Sequence, residues 1–288
     1  VNYWIYHLND LKNQDEINIS STLSDVDFLK SLSDSNYSLK RKTDIVQYLI
    51  KKICGKSSNV SNDIYNKYVL DFERYIFTEL TPSNPVNLIL DELVKLRPIF
   101  ITTNYDKQIE ISFEKYNNFE PKIYSKLGDI NTYIHTDSIL HLHGIPTNKV
   151  DDFINSSKTY AKMYYNNSVA KNNLSKVIKP NKNVVLFVGC SLEEDEVINM
   201  LQMNNTNISY YALMKYEKYS NDSDYKNEII KSYYEDELNI KIVWYGSDYG
   251  DLPKFIEKLV DEVLQSENAK LHLNQTRKVL LDTSIVGE

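Results

Sequence analysis

Cysteine is nearly absent: Cys54 and Cys190 are the only two, and no Cys-x-x-Cys pair exists. Tetrahedral zinc sites draw four clustered ligands from Cys and His, so a structural zinc module is excluded. Arginine is almost as scarce, at Arg41, Arg74, Arg97 and Arg277 only. Bidentate clamps on phosphate are therefore few, and a bound phosphate must lean on backbone amides. A net charge of -7 and a pI near 5.4 give no basic footprint for nucleic acid. No apolar run approaches the roughly 20 residues that span a bilayer, and no signal peptide is visible. The expectation is a cytoplasmic protein with no membrane or nucleic-acid partner and no metal.

The 288 residues are 42% apolar, enough to bury a sizeable core in one large domain or a domain plus a subdomain. From about 2 to 80 the periodicity is helical, with Ile45, Tyr48, Leu49 and Ile53 and then Ile64, Tyr68, Phe72 and Ile76 on helical faces. Asn2 to Leu11 already reads as a helix, so no strand precedes it and the chain is expected to begin mid-domain. Pro85 opens a helix carrying Leu88, Ile89, Leu93 and Leu96, and Pro98 stops it.

After Pro98 strands and helices alternate. The pattern predicts strands near 99–102, 138–142, 184–188, 208–213 and 240–245, and helices near 106–117, 156–175, 193–203, 222–236 and 251–264. This is an α/β fold: a Rossmann-like parallel sheet with helices on both faces, plus a helical layer or subdomain. The expected domain covers 1–263, helical to about 97 and Rossmann-like from about 98. Residues 264–288, with a short apolar run at Val279 to Leu281, are a trailing helix, a linker into a further module, or an oligomerisation arm; the sequence leaves these open.

Three apolar runs end in polar side chains: Ile101-Thr102-Thr103-Asn104-Tyr105-Asp106, Leu140-His141-Leu142-His143-Gly144, and Val184 to Gly189-Cys190-Ser191. In an open α/β sheet, ligands sit at the carboxyl ends of the strands. Thr102, Asn104 and Asp106 alternate, which would aim all three into one cleft. Taken singly, each feature has a plainer reading. Asn104 and Asp106 suit helix caps, His143 beside Gly144 suits a structural turn, and Gly189 with Ser191 suits a turn and cap.

Taken in order, they resemble the sirtuin-like family. The closer likeness is to its bacterial anti-phage defence branch: Thr102-Thr103-Asn104-Tyr105-Asp106 followed by Glu110, then His143-Gly144, then Gly189-Cys190-Ser191-Leu192-Glu193-Glu194-Asp195. The resemblance runs from about 2 to 263. It implies an NAD glycohydrolase that cleaves NAD to nicotinamide and ADP-ribose and depletes it during infection. It further implies homo-oligomers, with further domains or a phage-sensing partner. Deacylases of this family carry a four-Cys zinc module, which this chain cannot build.

On this reading Asn104 and His143 are the catalytic pair. Asn104 holds a water or the nicotinamide ribose without changing charge, and His143 acts as general base. Thr102, Thr103, Asp106, Gly144, Gly189 and Ser191 are the expected cofactor contacts, with phosphate or adenine ribose at the helix start after Gly189. His141 alternates with His143 and is the weaker candidate. Polar residues at strand tips contribute little to a core, so substituting Asn104 or His143 is expected to leave the fold intact.

One departure stands out. The family's first strand ends in a Gly-Ala-Gly-x-Ser loop that cradles the pyrophosphate, and no such segment occurs here. Val1-Asn2-Tyr3-Trp4 resembles the stretch just after that loop. Either the chain starts late or it has shed its cofactor loop. The second reading that follows is a weak or inactive module kept for oligomerisation or nucleotide sensing.

Overall fold

A computed structural model describes residues 23–54, 71, 87–117, 120–125, 130, 134–145, 154–165, 172–174, 177, 183–190, 192, 198, 209–218, 223–269 and 277–282. The helix expected over 2–11, most of those over 64–76 and 193–203, and the candidate contact Ser191 lie outside the described residues.

Among the described residues the helices with defined bounds are α1 (Leu23–Ser33), α2 (Leu39–Cys54), α3 (Leu88–Leu93), α4 (Gln108–Asn117), α5 (Ser157–Tyr160), α6 (Ser223–Asp236) and α7 (Asp251–Ala269). The strands are β1 (Ile99–Thr102), β2 (Lys122–Tyr124), β3 (Ser138–His141), β4 (Asn183–Val188), β5 (Ser209–Lys215), β6 (Ile240–Gly246) and β7 (Arg277–Asp282).

The chain divides into two compact units, 1–79 with 145–166 and 80–144 with 167–288. The division differs from the boundary expected at 97/98. The α3 segment goes with the sheet because Ile89, Leu90 and Leu93 share a core with Phe100 of β1 and Ile256 of α7. The 145–166 segment goes with the amino-terminal helices. Within that first unit, Asp44 on α2 accepts from the Ser157 amide at 2.9 Å, and Gln47 donates to the Asn155 side chain at 3.1 Å. Ser156 and Thr159 form a reciprocal capping box that starts α5, and Ala161–Tyr165 continues it as a π turn.

The second unit carries a seven-stranded sheet ordered β2-β3-β1-β7-β4-β5-β6, with every neighbouring pair parallel. β1 and β3 are buried at every position, as strands covered on both faces should be, including the polar Thr102, Ser138 and His141 at their ends. The expected strands thus appear within about two residues of their predicted ends.

Two strands had no sequence signal strong enough to place them. β2 is an edge strand of three residues whose Lys122 and Ile123 are exposed. β7 is the run at Val279 to Leu281 that the sequence leaves open. It fills the middle of the sheet, with Phe100 opposite Leu280 on one side and Leu186 opposite Leu280 on the other. β2 and β3 lie on one side of β1, while β4, β5 and β6 lie beyond β7, so the topological switch falls at β7.

A set of polar and ring contacts fixes the half of the sheet that matters below. The Asn87 carboxamide caps α3 by accepting from the Leu90 amide at 3.1 Å. Buried Asp91 then accepts from Ser112 at 2.8 Å and pairs with Lys115 at 2.8 Å, tying α3 to α4. Arg97 makes a forked pair with Asp137, and the Asp137 amide donates to the Pro98 carbonyl at 3.0 Å. Both residues adopt left-handed backbone, Arg97 at φ 53° and Asp137 at φ 64°. They join the starts of β1 and β3, and the register carries Thr102 opposite His141 at the far end. Beneath, Phe100 meets Phe113 of α4 edge to face at 5.4 Å. Each such buried ring contributes about 1.5–3 kcal/mol.

Candidate active site

At the carboxyl end of β1 the chain leaves the sheet after Thr102. The alternation expected through Asn104 and Asp106 therefore stops at Thr102, because the loop turns toward α4. The buried Thr102 hydroxyl accepts from the Asn104 amide at 3.0 Å, and its carbonyl accepts from Leu142 at 2.7 Å. Thr103 is also buried, while Asn104, Tyr105 and Asp106 are half-buried. The Asp106 carboxylate accepts from the Gln108 amide at 2.9 Å, one residue before the cap position of α4. Burial pushes its carboxyl above the ordinary range, partly countered by that hydrogen bond, with Glu110 adding to the rise and His141 opposing it.

At the end of β3 the strand stops at His141, and a turn carries Leu142 and His143, closed by the Gly144 amide donating to the His141 carbonyl at 3.2 Å. Gly144 sits at φ 85°, a conformation that favours glycine. Strand alternation does not extend to His143, so it gives no ground for setting the two histidines on opposite faces. His143 is only 2% exposed and its ring lies 6.1 Å from that of Tyr105. The premise that this side chain stands free of the core is thus corrected, and removing it will disturb packing. Asn104, half-buried, keeps the original expectation.

His141 is held at both ring nitrogens. It is fully buried; Nδ1 lies 3.1 Å from the Asn104 carbonyl and Nε2 lies 3.0 Å from Glu110 Oε1. Glu110 Oε2 is buried and meets no donor among the described residues. In the sequence Glu110 stands out only as the acidic residue that follows the Thr102 to Asp106 segment. Its position in the first turn of α4 was the available signal.

The third motif is set apart. Gly189, at φ 65°, follows the end of β4, and β4 is separated from β1 by β7. At the usual strand spacing this places the two ends about 10 Å apart. Asp282, the last residue of β7, stands in register between Thr102 and Val188. The candidate residues thus form a tight group at the ends of β1 and β3 and a separate point at the end of β4.

A family model for the SIR2-like domain matches residues 98–242, from the start of β1 into β6, and so takes in all three strand ends. The chain belongs to the SIR2-like family. No curated protein matches it. SIR2-like domains bind NAD, so this SIR2-like domain has an NAD-related function. Among the described residues no group of His, Cys, Asp and Glu could hold a metal ion, and no helix is long and apolar enough to cross a membrane.

Proposed function

We propose that this SIR2-like domain is an NAD glycohydrolase that cleaves NAD to nicotinamide and ADP-ribose, acting in bacterial anti-phage defence by depleting NAD. The observation that supports it best is the pairing of β1 with β3, which sets the Asn104 loop against the His143 turn through Thr102, His141 and Leu142.

The chemistry asks little acid catalysis of the protein. The nicotinamide leaves as a neutral ring from a pyridinium, while the ribose passes through an oxocarbenium-like state. Asn104 orients the ribose or the attacking water through a carboxamide that donates and accepts. His143, held out of bulk water, takes a proton from the ribose hydroxyl or the water. Water adds to the ribose carbon as the glycosidic bond breaks, and one proton is released. Thr102, Thr103, Asp106 and Gly144 line the nicotinamide end, and Gly189 with Ser191 takes the phosphate or adenosine end. We further assign the chain to homo-oligomers in the cytoplasm, working with further domains or a phage-sensing partner.

A second reading, a weak module kept for oligomerisation or nucleotide sensing, has one observation in its favour. The central strand is β7, and its end presents Asp282 where a dinucleotide fold places a glycine loop.

Product analysis at millimolar NAD separates the two. The glycohydrolase reading expects nicotinamide and ADP-ribose in equal amounts, and loss of both in His143→Ala protein whose circular dichroism shows it folded. Absence of turnover with retained ADP-ribose binding would favour the second reading.

A further inference from the structure

We propose that Glu110 and His141 form a net-neutral, two-proton clamp that positions Asn104; this deepens the glycohydrolase reading and rests on it for the effect on turnover. Neither residue need touch NAD. Both act through the Asn104 backbone.

The His141 ring bridges two segments, the loop after β1 and the first turn of α4. A backbone carbonyl only accepts, so Nδ1–H donates to the Asn104 oxygen at 3.1 Å. With Nδ1 protonated, Nε2 faces Glu110 Oε1 at 3.0 Å, and that contact needs a second proton. Whether this proton sits on the imidazole or on the carboxyl, the pair carries two protons and no net charge.

Neutrality matters at this place. The oxocarbenium-like state develops positive charge, which an unpaired imidazolium would oppose. An unpaired carboxylate here would also sit close to Asp106, whose own carboxyl is already raised by burial and by Glu110. Pairing sets His141 against Glu110, and His141 opposes the rise that Glu110 causes at Asp106.

The clamp also explains why Asn104 is well placed. Its amide donates to Thr102 Oγ1 at 3.0 Å, and its carbonyl accepts from His141. Both backbone groups are thus pinned by side chains from two adjacent strands, leaving the side-chain torsions as the remaining freedom. Misplacing a reacting group by about 1 Å can cost 100-fold in rate.

Three readouts on the full chain test this. The first is the 15N spectrum of ring-labelled histidine, with His141 assigned among the five histidines by substitution. A bound proton on His141 Nδ1 is expected, and an unprotonated Nδ1 would overturn the clamp whatever the chain does to NAD. The second is hydrogen exchange at the Asn104 amide, which should speed up about tenfold in Glu110→Ala, the loss of one charge-assisted hydrogen bond. In Glu110→Gln it should change little, because the new amide can donate to Nε2 while Nδ1–H still holds the Asn104 carbonyl. Unchanged amides in α7 confirm that the fold persists, and equal exchange in all three proteins would contradict the proposal.

The third is kinetic. Glu110→Ala should lower kcat about tenfold with little change in KM, and Glu110→Gln should recover most of it. A fall in KM-dependent binding alone, or no rescue by Gln, would contradict a positioning role. Confirmed protonation and exchange with no NAD turnover in the wild-type chain would sink the glycohydrolase reading and leave the clamp standing.

Discussion

The two halves of the sheet's carboxyl edge are built differently. At β1 and β3 the ends are knitted by side chains: Thr102 holds Asn104, His141 holds Asn104 and Glu110, and Leu142 extends the ladder past the strand. At β7 and β4 the edge offers Gly189 at φ 65°, just after β4, and Asp282 in register with Val188. On the proposed reading, the first half supplies the preorganised polar groups for bond cleavage. Among the described residues the second shows no glycine-rich backbone that would let amides close on a pyrophosphate. If the proposal holds, the groups for chemistry and those for holding the cofactor are present to different degrees in one sheet, a difference that family membership alone does not reveal.

The largest effect should come from the strand both halves share. Leu280→Pro removes a backbone donor from the middle of β7, between β1 and β4, and should destabilise the second unit by about 2–4 kcal/mol in urea unfolding. Unchanged stability would mean that β7 does not fill the centre of the sheet.

A smaller change tests the cofactor half alone. Asp282→Asn removes one negative charge from the end of the central strand. ADP-ribose binding should tighten about threefold at low ionic strength, fading with salt. Weaker binding in this variant would show that Asp282 helps the ligand rather than repelling it.

The smallest concerns Asp106, and it has a definite sign. Because burial raises its folded carboxyl above the unfolded value, the folded state holds its proton longer. Its contribution is most favourable below the ordinary carboxylate range and is lost as pH rises through the raised folded value. Asp106→Asn keeps an oxygen for the Gln108 amide without the buried charge. It should raise the Tm at neutral pH by a small amount that disappears in acid, even as activity falls. A lower Tm at neutral pH would count against this account of Asp106.

What sequence could show followed the strength of its periodic signals. β1, β3 and β4 were legible because a covered parallel strand carries an apolar stretch, here 99–101, 139–140 and 184–188. β7 was not, since a run as short as Val279-Leu280-Leu281 between polar residues fits several structures, and only its two neighbours in space make it a strand. β2 gave less still, with two of its three residues facing out. At the site, Asn104 and His143 were readable as motif residues, yet His141 was set aside by a strand-alternation argument that fails where the strand ends. Its link to Glu110 joins an α4 residue to a strand end and leaves no local spacing to read. The grouping of 145–166 with the amino-terminal helices was hidden for the same reason, because Asp44–Ser157 and Gln47–Asn155 are contacts across long stretches of chain.

The most direct test of the central claim is nicotinamide release from NAD by the wild-type chain beside Asn104→Ala. Asn104 is half-buried, so the variant should keep its Tm within a few degrees. The account predicts release by the wild type and a fall of about 100-fold or more in the variant. Equal release by both proteins would contradict it and move the chemistry away from the ends of β1 and β3.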